Sequence, residues 1–167
     1  GFYTTTVPTG TYRIFFNPPI GSSYFDGRLD NEVISANRTI NMTLQQGVFV
    51  SGYVKDTNGT GLLDVDLNFY NASTGVNMGY TNDNTDAAGF YNVLVDANMT
   101  FDILYRPSLG DPHVAFQAND VVVGSANIVR PDVVLASGFF VTGQVVREGT
   151  NDPVVGADID AEQSATG

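Results

Sequence analysis

Cysteine and tryptophan are both absent from this 167-residue chain, and histidine and lysine occur once each, as His113 and Lys55. Without cysteine there is no disulfide framework, and thiol usage gives no sign of the redox compartment. With one histidine, neither a histidine-based zinc site nor a Ser-His-Asp arrangement can be assembled, and the chain is expected not to be an enzyme. Nothing resembles a signal peptide, and no apolar run approaches the roughly 18 residues of a membrane-crossing helix. Gly1 is not an initiator methionine, so the chain is expected to start inside a longer one. Basic residues are scarce too, 7 against 18 acidic ones for a net charge of −11, and the acids are 15 aspartates to 3 glutamates. Such a surface repels nucleic-acid phosphate and anionic lipid, which argues against both as partners and leaves a weak attraction for divalent cations.

What is present is repetition. Gly47-Val48-Phe49-Val50-Ser51-Gly52-Tyr53-Val54 returns 91 positions later as Gly138-Phe139-Phe140-Val141-Thr142-Gly143-Gln144-Val145. Gly1-Phe2-Tyr3 returns as Gly89-Phe90-Tyr91, and Thr11-Tyr12-Arg13-Ile14 as Thr100-Phe101-Asp102-Ile103. The expected organisation is therefore the C-terminal part of one repeat (1–46), a complete repeat (47–137) and the N-terminal part of a third (138–167). A unit of about ninety residues can bury its own core. Between units there is no Gly/Ser or Pro-rich spacer, which predicts contact between neighbours and a stiff, jointed rod.

Nearly every apolar stretch is short, β-branched or aromatic, and ended by Gly, Asn, Asp or Pro, as strands are. The complete repeat reads as seven strands, near 48–55, 63–70, 76–81, 89–95, 99–106, 113–123 and 131–136. Strict alternation in Asp64-Val65-Asp66-Leu67-Asn68-Phe69 puts Val65, Leu67 and Phe69 inward. In the third repeat the same reading turns Ala157, Ile159 and Ala161 inward and Asp158 and Asp160 outward. Turns are expected at Asn58-Gly59, Ser73-Thr74-Gly75 and Ala97-Asn98. The one helix candidate is Asp30 to Ala36. Seven strands with closely spaced turns describe an all-β fold of tandem antiparallel sandwiches, Ig-like or prealbumin-like.

The run from Gly52-Tyr53-Val54-Lys55-Asp56 through Gly59-Thr60-Gly61-Leu62-Leu63-Asp64-Val65-Asp66-Leu67 resembles the opening of carboxypeptidase regulatory-like domains and of collagen-adhesin B-type, transthyretin-like repeats. Thr85-Asp86-Ala87-Ala88-Gly89-Phe90-Tyr91 is similar to that family's T-D-x-x-G-x-Y stretch. Val7-Pro8-Thr9-Gly10-Thr11-Tyr12-Arg13-Ile14 is similar to its V-P-x-G-x-Y-x-I segment, from which Asp96-Ala97-Asn98-Met99 departs. The resemblance implies a sandwich whose Asp and Gly shape a tight turn and whose aromatic fills the core. Such modules serve as stalks, spacers, adhesin bodies and accessory domains. It also raises a Lys–Asn cross-link catalysed by a buried acid, for which Lys55 is the sole lysine. The 47–137 unit has no glutamate and the third repeat has Val146 at that place, so the expected role is an edge-strand lysine that discourages pairing.

Asp83, Asp86 and Asp56 are the candidate ligands for Ca²⁺, although the calcium-loop pattern is missing and Asp in such loops commonly forms turns. No other cofactor is expected. Five N-x-[ST] sequons, at Asn37, Asn41, Asn58, Asn71 and Asn98, are candidate glycan sites, and their use implies export. The 19 aromatics fall mainly at strand positions and are expected in the core rather than as sugar platforms. The end pieces are complementary, and two explanations stay open: a window cut from a longer array, which is favoured, or subunits that complete one another by strand donation into a filament. These features predict a secreted or cell-surface structural and adhesive repeat protein, with a carbohydrate- or calcium-binding accessory module of a secreted enzyme as the alternative.

Overall fold

The computed structural model describes residues 1–159, so Asp160 and Ala161 lie outside the described residues. Within them the fold is all-β and its ladders are mostly antiparallel. The strands are β1 (Gly10–Phe16), β2 (Gly27–Ile34), β3 (Val48–Asp56), β4 (Asp66–Asn71), β5 (Phe90–Val95), β6 (Met99–Arg106), β7 (Phe116–Val123), β8 (Ile128–Val129) and β9 (Val133–Leu135).

Strands β3–β9 close around one core as two sheets. The first has β3 in the middle, antiparallel to β5 on one side and parallel to β8 and then β9 on the other. The second runs β4-β6-β7, antiparallel throughout. Alternate residues of each sheet point inward: Val50, Val54, Val93 and Val95 from the first, and Leu67, Phe69, Phe101, Ile103, Tyr105 and Val121 from the second, are buried together. Each such side chain contributes roughly 1.5–3 kcal/mol by leaving water. Phe69 meets Phe101 edge-on at 5.7 Å, and the Tyr91 and Tyr105 hydroxyls meet at 3.3 Å, which gives two buried phenols each other as partners. Val65, Leu67 and Phe69 are buried as their alternation predicts.

Several expectations need correction. The stretch 76–81 is no strand: after Met78 N–H bonds to the Phe69 carbonyl, Gly79 at φ 63° turns the chain away. The first sheet is not wholly antiparallel, because β8 and β9 lie parallel to β3. Pro131 between them has no N–H to donate, which splits that parallel edge into two short strands. Asp30–Ala36 is not helical; residues 30–34 are the end of β2. Asp30 and Asn31 together stand opposite Arg13 in a bulge, with Asn31 at φ 61°. A single seven-residue helix has too few hydrogen bonds to compete with that ladder.

The end pieces copy the centre in detail. The β1–β2 ladder pairs Gly10 with Ile34, Tyr12 with Glu32, Ile14 with Leu29 and Phe16 with Gly27. The β6–β7 ladder pairs Met99 with Val123, Phe101 with Val121, Ile103 with Ala118 and Tyr105 with Phe116, every partner 89 positions on. The bulge recurs in place, and Asp120 at φ 54° stands for Asn31. At the other end, Arg147 N–H to Asp152 O and Val154 N–H to Val145 O repeat Asp56 N–H to Thr60 O and Leu62 N–H to Val54 O, around a turn one residue longer. One expected strand is missing there. Residues 139–145 carry the β3 motif but form no ladder, because no copies of β5 and β9 stand beside them among the described residues. For the same reason Ala157 and Ile159, expected inward, are exposed.

Candidate functional site

Where the N-terminal piece runs into the β3–β9 sandwich, two short segments are tied together. Ser23–Phe25 leads into β2 and Gln45–Gly47 leads into β3. Phe25 N–H donates to Gln45 O (2.9 Å) and Gly47 N–H to Ser23 O (2.8 Å), a one-rung antiparallel bridge centred on Tyr24 and Gln46. The same bridge recurs at the other end of the sandwich: Val114 N–H donates to Ala136 O (2.9 Å) and Gly138 N–H to Pro112 O (2.7 Å), centred on His113 and Ser137.

Glycine is required at the first joint. A Cβ on Gly47 would stand 2.6 Å from the Val95 carbonyl oxygen and 2.8 Å from the Phe25 ring. On Gly138 it would stand 2.8 Å from a Val114 methyl, so the residue after the bridge packs on the glycine at both joints. Side chains add to the first joint. Phe25 stacks on Tyr80 at 6.1 Å and 19°, and Gln45 donates to Asp96, whose other oxygen accepts from the Tyr80 hydroxyl at 2.8 Å. Burial, with Asp96 beside it, pushes the Tyr80 phenol well up, so it stays a neutral donor.

Beside this joint lies an open groove of about 880 Å³, walled by Pro19, Tyr24, Asp26, Phe49, Asn82 and Asn92 among others. Aromatic faces with amide and carboxylate edges could stack on and hydrogen-bond a sugar. The second joint has His113 and Ala115 where the first has Tyr24 and Asp26, so these features do not recur with the bridge.

The residues singled out from sequence are spread over the molecule. Asp56 Oδ1 accepts the N–H groups of Asn58 and Thr60, both at 2.8 Å, and Asp86 Oδ1 those of Ala88 and Phe90, at 2.8 and 2.9 Å. Both carboxylates therefore organise turns, and the Thr60 N–H, helped by Asn58, holds Asp56 below the usual carboxylate range. Asp83 sits apart in function: burial, with the Asp66 charge adding, pushes its carboxyl above the usual range. Among the described residues no three His, Cys, Asp or Glu side chains converge as a metal site, so Asp56, Asp83 and Asp86 do not form one.

The Asp83 shift gives a signed prediction. A folded-state pKa above the unfolded one penalises the fold at neutral pH, and the penalty fades as pH falls through the raised value toward the ordinary one. Asp83→Asn should raise the unfolding free energy at pH 7, by no more than about 0.5 kcal/mol for a group still partly open to water, and the gain should shrink toward pH 4. Urea titrations at the two pH values check it; an equal or negative change at pH 7 would reject the assignment.

The expectation that Lys55 sits on an edge is corrected: Val134 of β9 pairs with it on one side and Gly61 bridges it on the other. Its Nζ is 2.5 Å from Asp132 and sits over the Tyr53 ring at 5.2 Å. The pair is open to water, 30% and 46% exposed. Apart from the Tyr91 and Tyr105 phenols, the only buried polar side chain among the described residues is Thr85, so no buried acid is found there to catalyse a cross-link. Of the sequon asparagines, Asn37, Asn41, Asn58 and Asn98 are exposed in loops, whereas Asn71 ends β4 and its Oδ1 accepts from Ser73 and Thr74 N–H.

No protein-family model matches the chain, and no curated protein does. The phospholipase PlaB from Legionella pneumophila is a similar solved structure. It shares 14% identity over 89% of this chain and 34% of that one, with a TM-score of 0.34. The chain thus spans about a third of that protein's length. This corrects one expectation: a similar solved structure is an enzyme, so the reading of the chain as a non-enzyme is withdrawn. A likeness at that TM-score carries no argument about which activity, if any, the chain has.

Proposed function

We propose that the chain is a stretch of an extracellular stalk, built of tandem seven-stranded β-sandwich repeats of the carboxypeptidase regulatory-like or collagen-adhesin B-type kind. Its work is to hold a tip or a neighbouring domain away from a cell surface. The observation that carries this reading is the joint: Ser23–Phe25 with Gln45–Gly47, and Pro112–Val114 with Ala136–Gly138, are bridged by the same two backbone hydrogen bonds. A spacer needs neighbours fixed in angle; the bridge anchors the last residues of a repeat at both junctions, and its Gly47 and Gly138 N–H groups tie the first residue of the next unit to it. Exposed loop asparagines in four sequons fit a glycosylated, exported surface.

The test is the rigidity of the first joint. Residual dipolar couplings from β1–β2 and from β3–β9 should fit one alignment tensor in the 167-residue chain. Phe25→Ala, which removes the ring packed on Tyr80 and Gly47 and is not itself a residue of the main core, should make the two sets diverge while the thermal midpoint of the sandwich holds to within a few degrees. Independent tensors in the unmodified chain would sink the stalk. A second reading, an accessory module that binds carbohydrate, is favoured by the groove at Tyr24 and Asn92. Glycan-array binding that Tyr24→Ala abolishes would put it first.

A further inference from the structure

Two aspartate–proline bonds lie in the chain, Asp111–Pro112 and Asp152–Pro153. Such a bond is open to attack by its own side chain. The proline nitrogen is a tertiary amide, more basic than an ordinary peptide nitrogen and a better leaving group, and the carboxylate beside it reaches the carbonyl carbon through a small ring. At Asp111 the fold adds to this. Asp111 Oδ1 accepts the His113 backbone N–H at 2.8 Å and lies 2.6 Å from His113 Nδ1. The ring closed by the first of these bonds contains the Asp111–Pro112 bond, so the carboxylate is folded across it. Oδ2 is left without a donor among the described residues. Burial works against the charge, but the two His113 donors prevail and hold the Asp111 carboxyl below the usual range, as a carboxylate. The Asp111 and His113 side chains are partly buried, whereas Pro112 is open to water.

The loop does not need this arrangement in order to fold. Its counterpart between β1 and β2, 89 positions earlier, has Ser22-Ser23-Tyr24 in place of Asp111-Pro112-His113. Ser22 N–H bonds to Pro19 O as Asp111 N–H bonds to Ser108 O, both at 3.0 Å. Gly21 stands at φ 79° where Gly110 stands at φ 90°, and both loops end in the same backbone bridge. Yet the buried Ser22 hydroxyl finds no partner among the described residues. The backbone is therefore made without a side-chain bond at this place, and the Asp111–His113 pair is an addition to it. Asp56 and Asp86 accept the N–H two residues on in the same way, but Thr57 and Ala87 stand between, not proline. At the second Asp–Pro bond, Val154 stands where histidine would be needed.

We propose that Asp111–Pro112 is a self-cleaving bond of the folded chain, with water as the one co-reactant. Oδ2 attacks the Asp111 carbonyl carbon. The C–N bond breaks as Pro112 N takes a proton from the His113 imidazolium, which leaves Asp111 as a cyclic anhydride and Pro112 as a free secondary amine. Water then opens the anhydride to two carboxylic acids, and their protons go to the His113 ring and to the Pro112 amine. The two pieces, 1–111 and 112–167, stay together. β7 is held on β6 from Met99–Val123 to Tyr105–Phe116, and β8 and β9 are held on β3. The cut removes a covalent link at the second joint and leaves the sandwich closed.

Incubation of the folded 167-residue chain in mildly acidic buffer should give two fragments on a denaturing gel, with the masses of 1–111 and 112–167, summing to the chain plus one water. Sedimentation under native conditions should still show one particle. Cleavage at Asp152–Pro153 in the same sample is the reference, and Asp111–Pro112 should outrun it at least about tenfold. In urea that difference should vanish. Asp111→Asn should slow the cut at least about a hundredfold, and His113→Tyr at least about tenfold, with the rate at Asp152–Pro153 unchanged. The triple variant Asp111→Ser, Pro112→Ser, His113→Tyr copies the β1–β2 loop, so it should stay whole at this place and keep the thermal midpoint to within a few degrees. It separates loss of the chemistry from loss of the fold. An Asp111–Pro112 bond that stays intact, equal rates at the two Asp–Pro bonds, or a difference that survives in urea would overturn the proposal.

Discussion

Gly61→Ala should unfold the β3–β9 sandwich or cost it about 3 kcal/mol or more, a large share of the roughly 5–15 kcal/mol that holds such a domain together. A Cβ at Gly61 would stand 2.0 Å from the Ala88 carbonyl oxygen and 2.8 Å from the Gly89 nitrogen. One at Gly89, itself at φ 76°, would stand 2.2 Å from the Val54 oxygen and 2.8 Å from the Gly61 Cα. Every atom in the way is backbone, so no side chain can swing aside. The 86–89 turn would have to lift off β3, giving up the Val54 N–H to Gly89 O bond (2.8 Å) and straining Leu62 N–H to Val54 O (2.9 Å). Ordinary overpacking costs about 1–3 kcal/mol where side chains can shift, and here they cannot. Gly59→Ala is the control. It has open space around it and only its φ of 86° to lose, for about 1 kcal/mol. Urea midpoints decide: a Gly61→Ala no worse than Gly59→Ala would mean that the two backbones do not cross as described.

That crossing gives physical content to the family resemblance. The G-x-G-L and T-D-x-x-G-x-Y stretches are separate motifs in the sequence, and each looks like a private turn. In the fold they are two sides of one contact, Gly61 against Gly89, a pairing that spacing alone does not announce. The local features were legible because their causes are local. Alternation through Asp64–Phe69 set the buried face, and Gly59, Gly75 and Asn98, all at positive φ, sit where turn chemistry required. What sequence misjudged depended on partners. Residues 76–81 are apolar enough for a strand, yet Gly79 turns them away after one bond to β4. Ile128–Val129 is too short to announce itself and exists because β3 offers a parallel edge. Residues 139–145 have the composition of β3 and no ladder, which shows that a β-strand is a property of a pair.

The candidate site divides in the same way. The lack of a spacer before Gly47 and Gly138 was visible, and with it the prediction of contact between units. The bridge was not, since its other half lies in Ser23–Phe25 and Pro112–Val114, loops with no shared residue type. Only their matching distance from the glycines, 24 and 26 positions, marks them, and the two-residue difference hides it. The calcium candidates drew attention as acidic loop residues. Asp56 and Asp86 prove to be acidic because a carboxylate can accept two backbone N–H groups at once.

Thr85 is the residue whose role the sequence concealed most, and Thr85→Val should cost about 2–3 kcal/mol although it changes the side-chain volume little. Beside the Tyr91 and Tyr105 phenols it is the one buried polar side chain among the described residues. Its hydroxyl donates to Leu62 O (2.5 Å) and accepts from Val65 N–H (2.9 Å), while its backbone N–H reaches Val65 O and its carbonyl accepts from Asp64 N–H, each at 3.0 Å. These four bonds clamp the 62–65 turn, where Asp64 stands at φ 59°, onto a loop that no strand ladder supports. Valine keeps the shape and leaves a buried donor and a buried acceptor unpaired, at roughly 1–3 kcal/mol each before local water relieves part of it. Serine keeps the hydroxyl and loses one methyl group, for about 1 kcal/mol. The order of stability should therefore be Thr above Ser above Val, whereas burial of apolar area alone would put Val first and Ser last. Thermal or urea unfolding of the three proteins measures it, with hydrogen exchange at the Val65 amide as the local readout. If valine proves the more stable replacement, the hydroxyl is not the clamp, and the 62–65 turn must be held by packing of Leu62 and Val65 alone.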